Sequence, residues 1–189
     1  MDGVHGGSRQ EQGTLYVVAT PIGNLEDITL RALKVLAGVD VIAAEDTRNT
    51  AALLARHGIG KRPVALHAHN EARRAQQVVD WLYEGRSVAL VTDAGTPGLS
   101  DPGSLVVAKA MEAGLCVTPI PGPAAAVAAY SASGLPGGRF LFYGFLPPKS
   151  SARRTAIKEL ADMECALIFH EAPHRVIDSV GDLAASLPG

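Results

Sequence analysis

Short apolar runs of strand length alternate along this chain with stretches whose apolar residues recur at helical spacing, and that alternation limits the fold more than any other feature. The runs fall at residues 15–19, 39–44, 63–66, 87–91 and 116–120. Between them, Leu30, Leu33 and Leu36 lead to Gly38, with Asp27 placed to cap that helix. Residues 50–57 form a short helix stopped by Gly58, and Asn70 precedes one whose stripe is Ala75, Val78, Val79 and Leu82. Asp101 and Pro102 read as the N-cap and first-turn proline of a helix over 105–111, and residues 124–132 form an Ala-rich helix. Strands that are apolar at consecutive positions must be covered on both faces. The expectation is therefore an α/β fold with an open, mainly parallel sheet.

This pattern gives an N-terminal α/β domain over 14–133, followed by a Gly/Pro linker at 134–138. A second series then runs strand 139–145, helix 152–163, strand 165–169, helix 174–187. Two strands make a poor independent sheet, so residues 139–189 read as part of a truncated C-terminal α/β domain. Residues 1–13, polar and Gly-rich, read as a disordered leader without the apolar stretch of a signal peptide. A composition with 47% hydrophobic and 19% charged residues supports a packed core. A net charge of -2 supplies no global attraction for nucleic acid, so an RNA partner would need local basic clusters. Cys116 and Cys165 have no CxxC spacing and read as reduced core residues of a cytoplasmic protein. No apolar run is long enough for a membrane span.

Ligands of open parallel sheets bind beyond the carboxyl ends of the strands. Three such positions, 21–24, 93–103 and 121–123, are rich in Gly and Pro, which allow close backbone approach and stiffen the receiving loop. Neither GxxxxGK[ST] nor a GxGxxG after the first strand occurs, which argues against a conventional NTPase or dehydrogenase. The three loops instead outline a pocket for a small polar cofactor. His170, Glu171 and His174 match HExxH, but Pro173 stands between the histidines and 166–169 reads as strand, so no metal is expected.

Six segments together carry a resemblance: VATPIGNLEDIT at 18–29, AEDTR at 44–48, VTDAGTPGLSDPG at 91–103, PGPAA at 121–125, YGFLP at 143–147 and EAPHR at 171–175. In order and density they resemble the tetrapyrrole-methylase superfamily, and within it the subfamily that methylates a cytidine ribose 2′-hydroxyl of 16S ribosomal RNA. The resemblance implies a two-domain fold, S-adenosylmethionine as cofactor, 16S rRNA or the small ribosomal subunit as partner, and a homodimer. It implies cofactor contacts from Pro21, Ile22, Ala94, Gly95, Thr96, Leu99, Ser100, Ala124 and Ala125, with Phe169 and Glu171 closing from the second domain. A methyltransferase acting on a small tetrapyrrole, and a non-catalytic cofactor- or ribosome-binding fragment, are the alternatives.

Methyl transfer to a ribose hydroxyl needs alignment and a proton acceptor. The candidates are Glu45, Asp46, His69 and Asp93. Asp46 could equally cap a helix and pair with Arg48, Asp93 could shape its turn, and His67 and His69 share a face only if their strand extends that far. For RNA phosphates the candidates are Arg48, Lys149, Arg153, Arg154 and Lys158, the last two being one helical turn apart.

Overall fold

The computed structural model describes residues 12–68 and 70–187. They form two compact units that part between Ala124 and Ala125. The leader expected at 1–13 lies almost wholly outside the described residues, as does His69.

The first unit contains β1 (Thr14–Val18), α1 (Leu30–Gly38), β2 (Val41–Ala44), α2 (Thr47–Arg56), β3 (Val64–Ala65), α3 (Glu71–Tyr83), β4 (Val88–Val91), α4 (Ser104–Glu112) and β5 (Cys116–Ile120). Its five strands are all parallel, in the order β3-β2-β4-β1-β5. Because side chains alternate across the pleat, neighbouring residues of one strand serve opposite faces. Val41, Ala43, Val88 and Leu90 pack with Ala75, Val78, Val79 and Leu82 of α3 and with Val106 and Ala110 of α4. Ile42, Ala44, Ala89 and Val91 pack on the other face with Ala32 and Leu36 of α1 and with Leu53 and Leu54 of α2. Both faces are covered, as the consecutive apolar residues require.

Several local expectations change. Asp27 does not cap α1: it closes a 3-10 turn over Leu25–Asp27, and Thr29 is the cap, its hydroxyl accepting from Ala32 N at 3.0 Å. Asp101 and Pro102 do not open α4, which begins at Ser104 with Gly103 as N-cap. Its free amides are met from α3, where Glu71 Oε1 accepts from Gly103 N at 2.8 Å and Leu105 N at 3.1 Å. Gly103 itself has φ +126°, and a Cβ there would lie 2.8 Å from Leu90 Cδ2. Cys116 is exposed on edge strand β5 and is not a core residue.

The second unit contains α5 (Ala125–Ala132), β6 (Phe140–Phe145), α6 (Ser150–Leu160), β7 (Ala166–His170) and α7 (Val176–Ser186). β6 and β7 pair in parallel, with a register irregularity between Phe142 and Gly144. Leu146, Ala156 and Ile157 make a small core joined by Phe169, Leu183 and Leu187. Beside it α6 and α7 are held by a buried charge cluster. Asp182, on α7, takes Arg153 Nη2 at 2.7 Å, Arg154 Nε at 2.6 Å and Ser150 Oγ at 2.9 Å.

Candidate functional site

The carboxyl ends of β1, β4 and β5 meet at one rim of the first sheet, and hydrogen bonds tie their loops together. Thr20 and Gly95 form an antiparallel bridge, with Thr20 N donating to Gly95 O at 2.9 Å and Gly95 N to Thr20 O at 3.0 Å. The Thr20 hydroxyl donates to Thr92 O at 3.1 Å, and the Thr96 hydroxyl to Pro123 O at 3.2 Å. Gly95 has φ +84°, and a Cβ there would come within 3.5 Å of Ile22 Cγ2. Pro21, Ile22, Gly95, Thr96 and Pro123 therefore converge. Further along the β4 loop, Ser100 has φ 67°, the one non-glycine among the described residues with left-handed backbone. Such a conformation costs free energy and recurs at ligand-holding loops.

The end of β2 adds carboxylates to this rim. Asp93 Oδ1 accepts from Asp46 N at 3.1 Å, and its Oδ2 accepts from Asn49 Nδ2 at 3.2 Å. Glu45 Oε2 lies 3.5 Å from the amide of Asp93. Asp46 does what a helix cap does: its Oδ1 accepts from Arg48 N at 2.7 Å, and its Oδ2 pairs with Arg48 Nη2 at 3.1 Å. Arg48 still projects into solvent, with 90% of its side chain exposed. The hydrogen bonds from Arg48 hold the Asp46 carboxyl below its ordinary range. Glu45 moves the other way. Partial burial pushes its carboxyl up, and the nearby negative charges of Asp101, Asp93 and Asp46 add to this against the opposing Asp93 amide. Three of the four proton-acceptor candidates thus sit together. The fourth, His69, lies outside the described residues. Its neighbour His67 is not on a strand, since β3 ends at Ala65; its amide donates to Asn70 Oδ1 at 2.9 Å.

Beside these groups lies a hollow of about 490 Å³ lined by Pro21, Leu25, Thr92 and Asp93 and by Asn49, Thr50, Ala52, Leu53 and Arg56 of α2. The sequence reading missed Asn49 and Arg56. Their spacing with Ala52 and Leu53 on one helix face was the available signal, but only the fold shows which face meets the rim.

Ala124 is the last residue of the first unit, and Ala125 opens α5 of the second. In the second unit Phe169 and Glu171 lie at and just beyond the end of β7. Glu171 is only 10% exposed and accepts from Ala172 N at 2.8 Å, from Arg175 Nη2 at 3.0 Å and from the Ser179 hydroxyl. His170 ends β7 and packs its ring edge-on against Phe142, while Pro173 opens a separate 3-10 turn, so the HExxH residues do not share a helix. Of the basic residues on and before α6, Lys149, Arg154 and Lys158 are exposed. Arg153 is a correction. Its side chain is 4% exposed and bound to Asp182, so it serves packing and is closed to a phosphate. No helix among the described residues is long and apolar enough to cross a membrane.

The model of the tetrapyrrole (corrin/porphyrin) methylases matches residues 14–189. Among curated relatives, "Ribosomal RNA small subunit methyltransferase I" of Escherichia coli O157:H7 is 52% identical over 183 residues, 97% of this chain and 64% of that protein. The protein of the same name from Vibrio cholerae serotype O1 is 54% identical over 175 residues, 93% of this chain and 61% of that protein. The chain thus spans a little over three fifths of the length of these relatives. Among solved structures, uroporphyrin-III-C-methyltransferase from Thermus thermophilus matches with TM-score 0.63 and 22% identity, covering 94% of this chain and 75% of that one. Diphthine synthase matches with TM-score 0.67 and 18% identity, covering 92% and 73%. These two likenesses concern the fold alone. A family match that runs from the first residue of β1 to the end of the chain, over a parallel sheet with its Gly/Pro loops tied at one rim, makes this chain a member of the tetrapyrrole methylase family.

Proposed function

We propose that this chain carries the S-adenosylmethionine-binding part of a ribosomal RNA 2′-O-methyltransferase acting on a cytidine of 16S rRNA in the small subunit. The observation that carries the reading is the rim: three loops hydrogen-bonded to one another beside a cluster of carboxylates. The names of the relatives, at about half identity, supply the substrate class.

The residues present fit a sulfonium cofactor. The rim is built from backbone groups and small side chains, Ala94, Gly95 and Ala124 among them, which leave room for an adenosine. Its charged groups include Glu45, Asp46 and Asp93, which favour a cationic donor over a phosphate-bearing one. When bound, S-adenosylmethionine supplies an activated methyl group. Pro21, Ile22, Ala94, Gly95, Thr96, Leu99 and Ser100 would hold it from the first unit. The chain's own task is then to align a ribose hydroxyl and accept its proton. Glu45 suits that role. Its raised carboxyl pKa brings it nearer the working pH, whereas Asp46 is occupied by the α2 cap and Asp93 by Asn49 and the Asp46 amide. Asp93 is a positioning residue, holding the end of β2 against the end of β4. Exposed Arg48, Lys149, Arg154 and Lys158 would meet RNA phosphates. By the same reading the protein is cytoplasmic and works as a homodimer, which sedimentation of the purified protein checks.

The test is to incubate the protein with methyl-labelled S-adenosylmethionine and unmodified small ribosomal subunits, then map ribose methylation by mass spectrometry. A 2′-O-methylated cytidine in 16S rRNA is the expected product. Methylation of a tetrapyrrole instead, or cofactor binding without transfer to the subunit, would overturn the reading.

A further inference from the structure

Apart from Pro21, which the cofactor reading already uses, the hollow beside the rim contains features that cofactor binding does not use. One face of α2 forms a side of it, presenting Asn49, Ala52, Leu53 and Arg56 at positions i, i+3, i+4 and i+7. Pro21 and Leu25 supply apolar surface from the β1 loop, and Leu25 is 43% exposed with no core to fill. Thr92, 2% exposed, also lines the hollow, and its hydroxyl oxygen is buried without a hydrogen-bond partner. That hydroxyl places a polar group at the wall of an otherwise largely apolar side of the hollow. The Asn49 amide, bonded to Asp93, adds a polar edge, and Arg56 stands exposed in the last turn of α2.

Apolar surface, hydrogen-bonding groups and a guanidinium around a few hundred Å³ match the parts of one nucleotide: the face of a base, its polar edge and the adjoining phosphate. The carboxylates of Glu45, Asp46 and Asp93 would repel a phosphate arriving elsewhere on this rim, so a cation at this position has a defined use. We propose that the hollow is a nucleotide subsite for the substrate RNA strand: a base lies against Leu25 and the α2 face, and Arg56 binds the adjacent phosphate. This rests on the RNA-methyltransferase reading and adds to it the surface that holds the strand.

Binding of the full chain to unmodified small ribosomal subunits, measured across a range of salt, tests the subsite with three variants. Arg56→Glu reverses the phosphate contact, Ala52→Trp fills the hollow, and Lys34→Glu on α1 makes the same charge change away from it. Ala52 and Arg56 are both exposed, so folding should survive; if Ala52→Trp fails to fold, Arg56→Glu decides. The expected result is binding weakened about tenfold or more by each hollow variant and within about twofold of wild type for Lys34→Glu, with the salt slope for Arg56→Glu smaller by about one. Hollow variants that bind like wild type, or an Arg56→Glu loss no larger than that of Lys34→Glu, overturn the subsite while leaving methyl transfer intact. A wild-type chain that neither binds nor methylates the subunit overturns the functional reading, and the subsite falls with it.

Discussion

Glu45 is the residue at which burial and neighbouring charge act in the same direction on one proton. Its carboxyl is raised by partial burial and then by Asp101, Asp93 and Asp46, so the protonated form is favoured more in the folded chain than in the unfolded one. Its contribution to stability is therefore fully present below the ordinary glutamate pKa and is lost as pH rises through the raised value. Glu45→Gln should flatten that decline in a urea-unfolding series against pH. It should also lower kcat for methyl transfer by roughly 10²–10⁴ if Glu45 takes the ribose proton. Unchanged kcat with a flattened stability profile would leave Glu45 a structural acid. Gly103 predicts a different loss. Gly103→Ala puts a Cβ against Leu90 at a left-handed φ, and unfolding should report destabilisation of about 1–3 kcal/mol. At this scale the sequence was uneven. Asp46 was legible as a cap because an acid before a helical run has a fixed local use. Arg153 was not, because its partner Asp182 is on another helix and sequence spacing cannot reveal that contact.

Helix ends and helix pairs set the next scale. The α1 cap is decided by Thr29, not Asp27, because the 3-10 turn Leu25–Asp27 delays the helix until Leu30. Thr29→Ala should then cost about 1 kcal/mol in chemical denaturation, whereas Asp27→Ala should cost little. In the second unit α6 and α7 are joined through Asp182. Hydrogen bonding from Arg154 is the main influence lowering its carboxyl pKa, followed on the same side by Ser150 and Arg153 against the cost of burial. The sign is opposite to that of Glu45. Stability from Asp182 is present above the ordinary aspartate pKa and lost as pH falls through the lowered value. Asp182→Asn should lower the thermal midpoint at neutral pH and remove that part of the acid sensitivity, as read by circular dichroism. The helices themselves were legible from apolar spacing. Their first turns were less so, because α4 is capped across space by Glu71, whose identity as a cap depends on how α3 packs.

For the whole molecule, periodicity revealed the parallel class of the first sheet but not its order. Strings of apolar residues such as 41–44 and 88–91 require cover on both faces, and that requirement names no neighbour. The order β3-β2-β4-β1-β5 places the ends of β2 and β4 side by side, which brings Glu45 and Asp46 to Asp93. Placing β1 between β4 and β5 lets the three Gly/Pro loops bond to one another. Those loops were legible as candidates because glycine and proline at strand ends constrain the backbone locally; their convergence depends on the topology. Hydrogen–deuterium exchange of the full chain with and without S-adenosylmethionine tests the central claim most directly. Slowed exchange at residues 20–24, 93–100 and 121–125 is the predicted result. Protection confined to other segments, or none at saturating cofactor, would contradict a methyl-donor site on this rim.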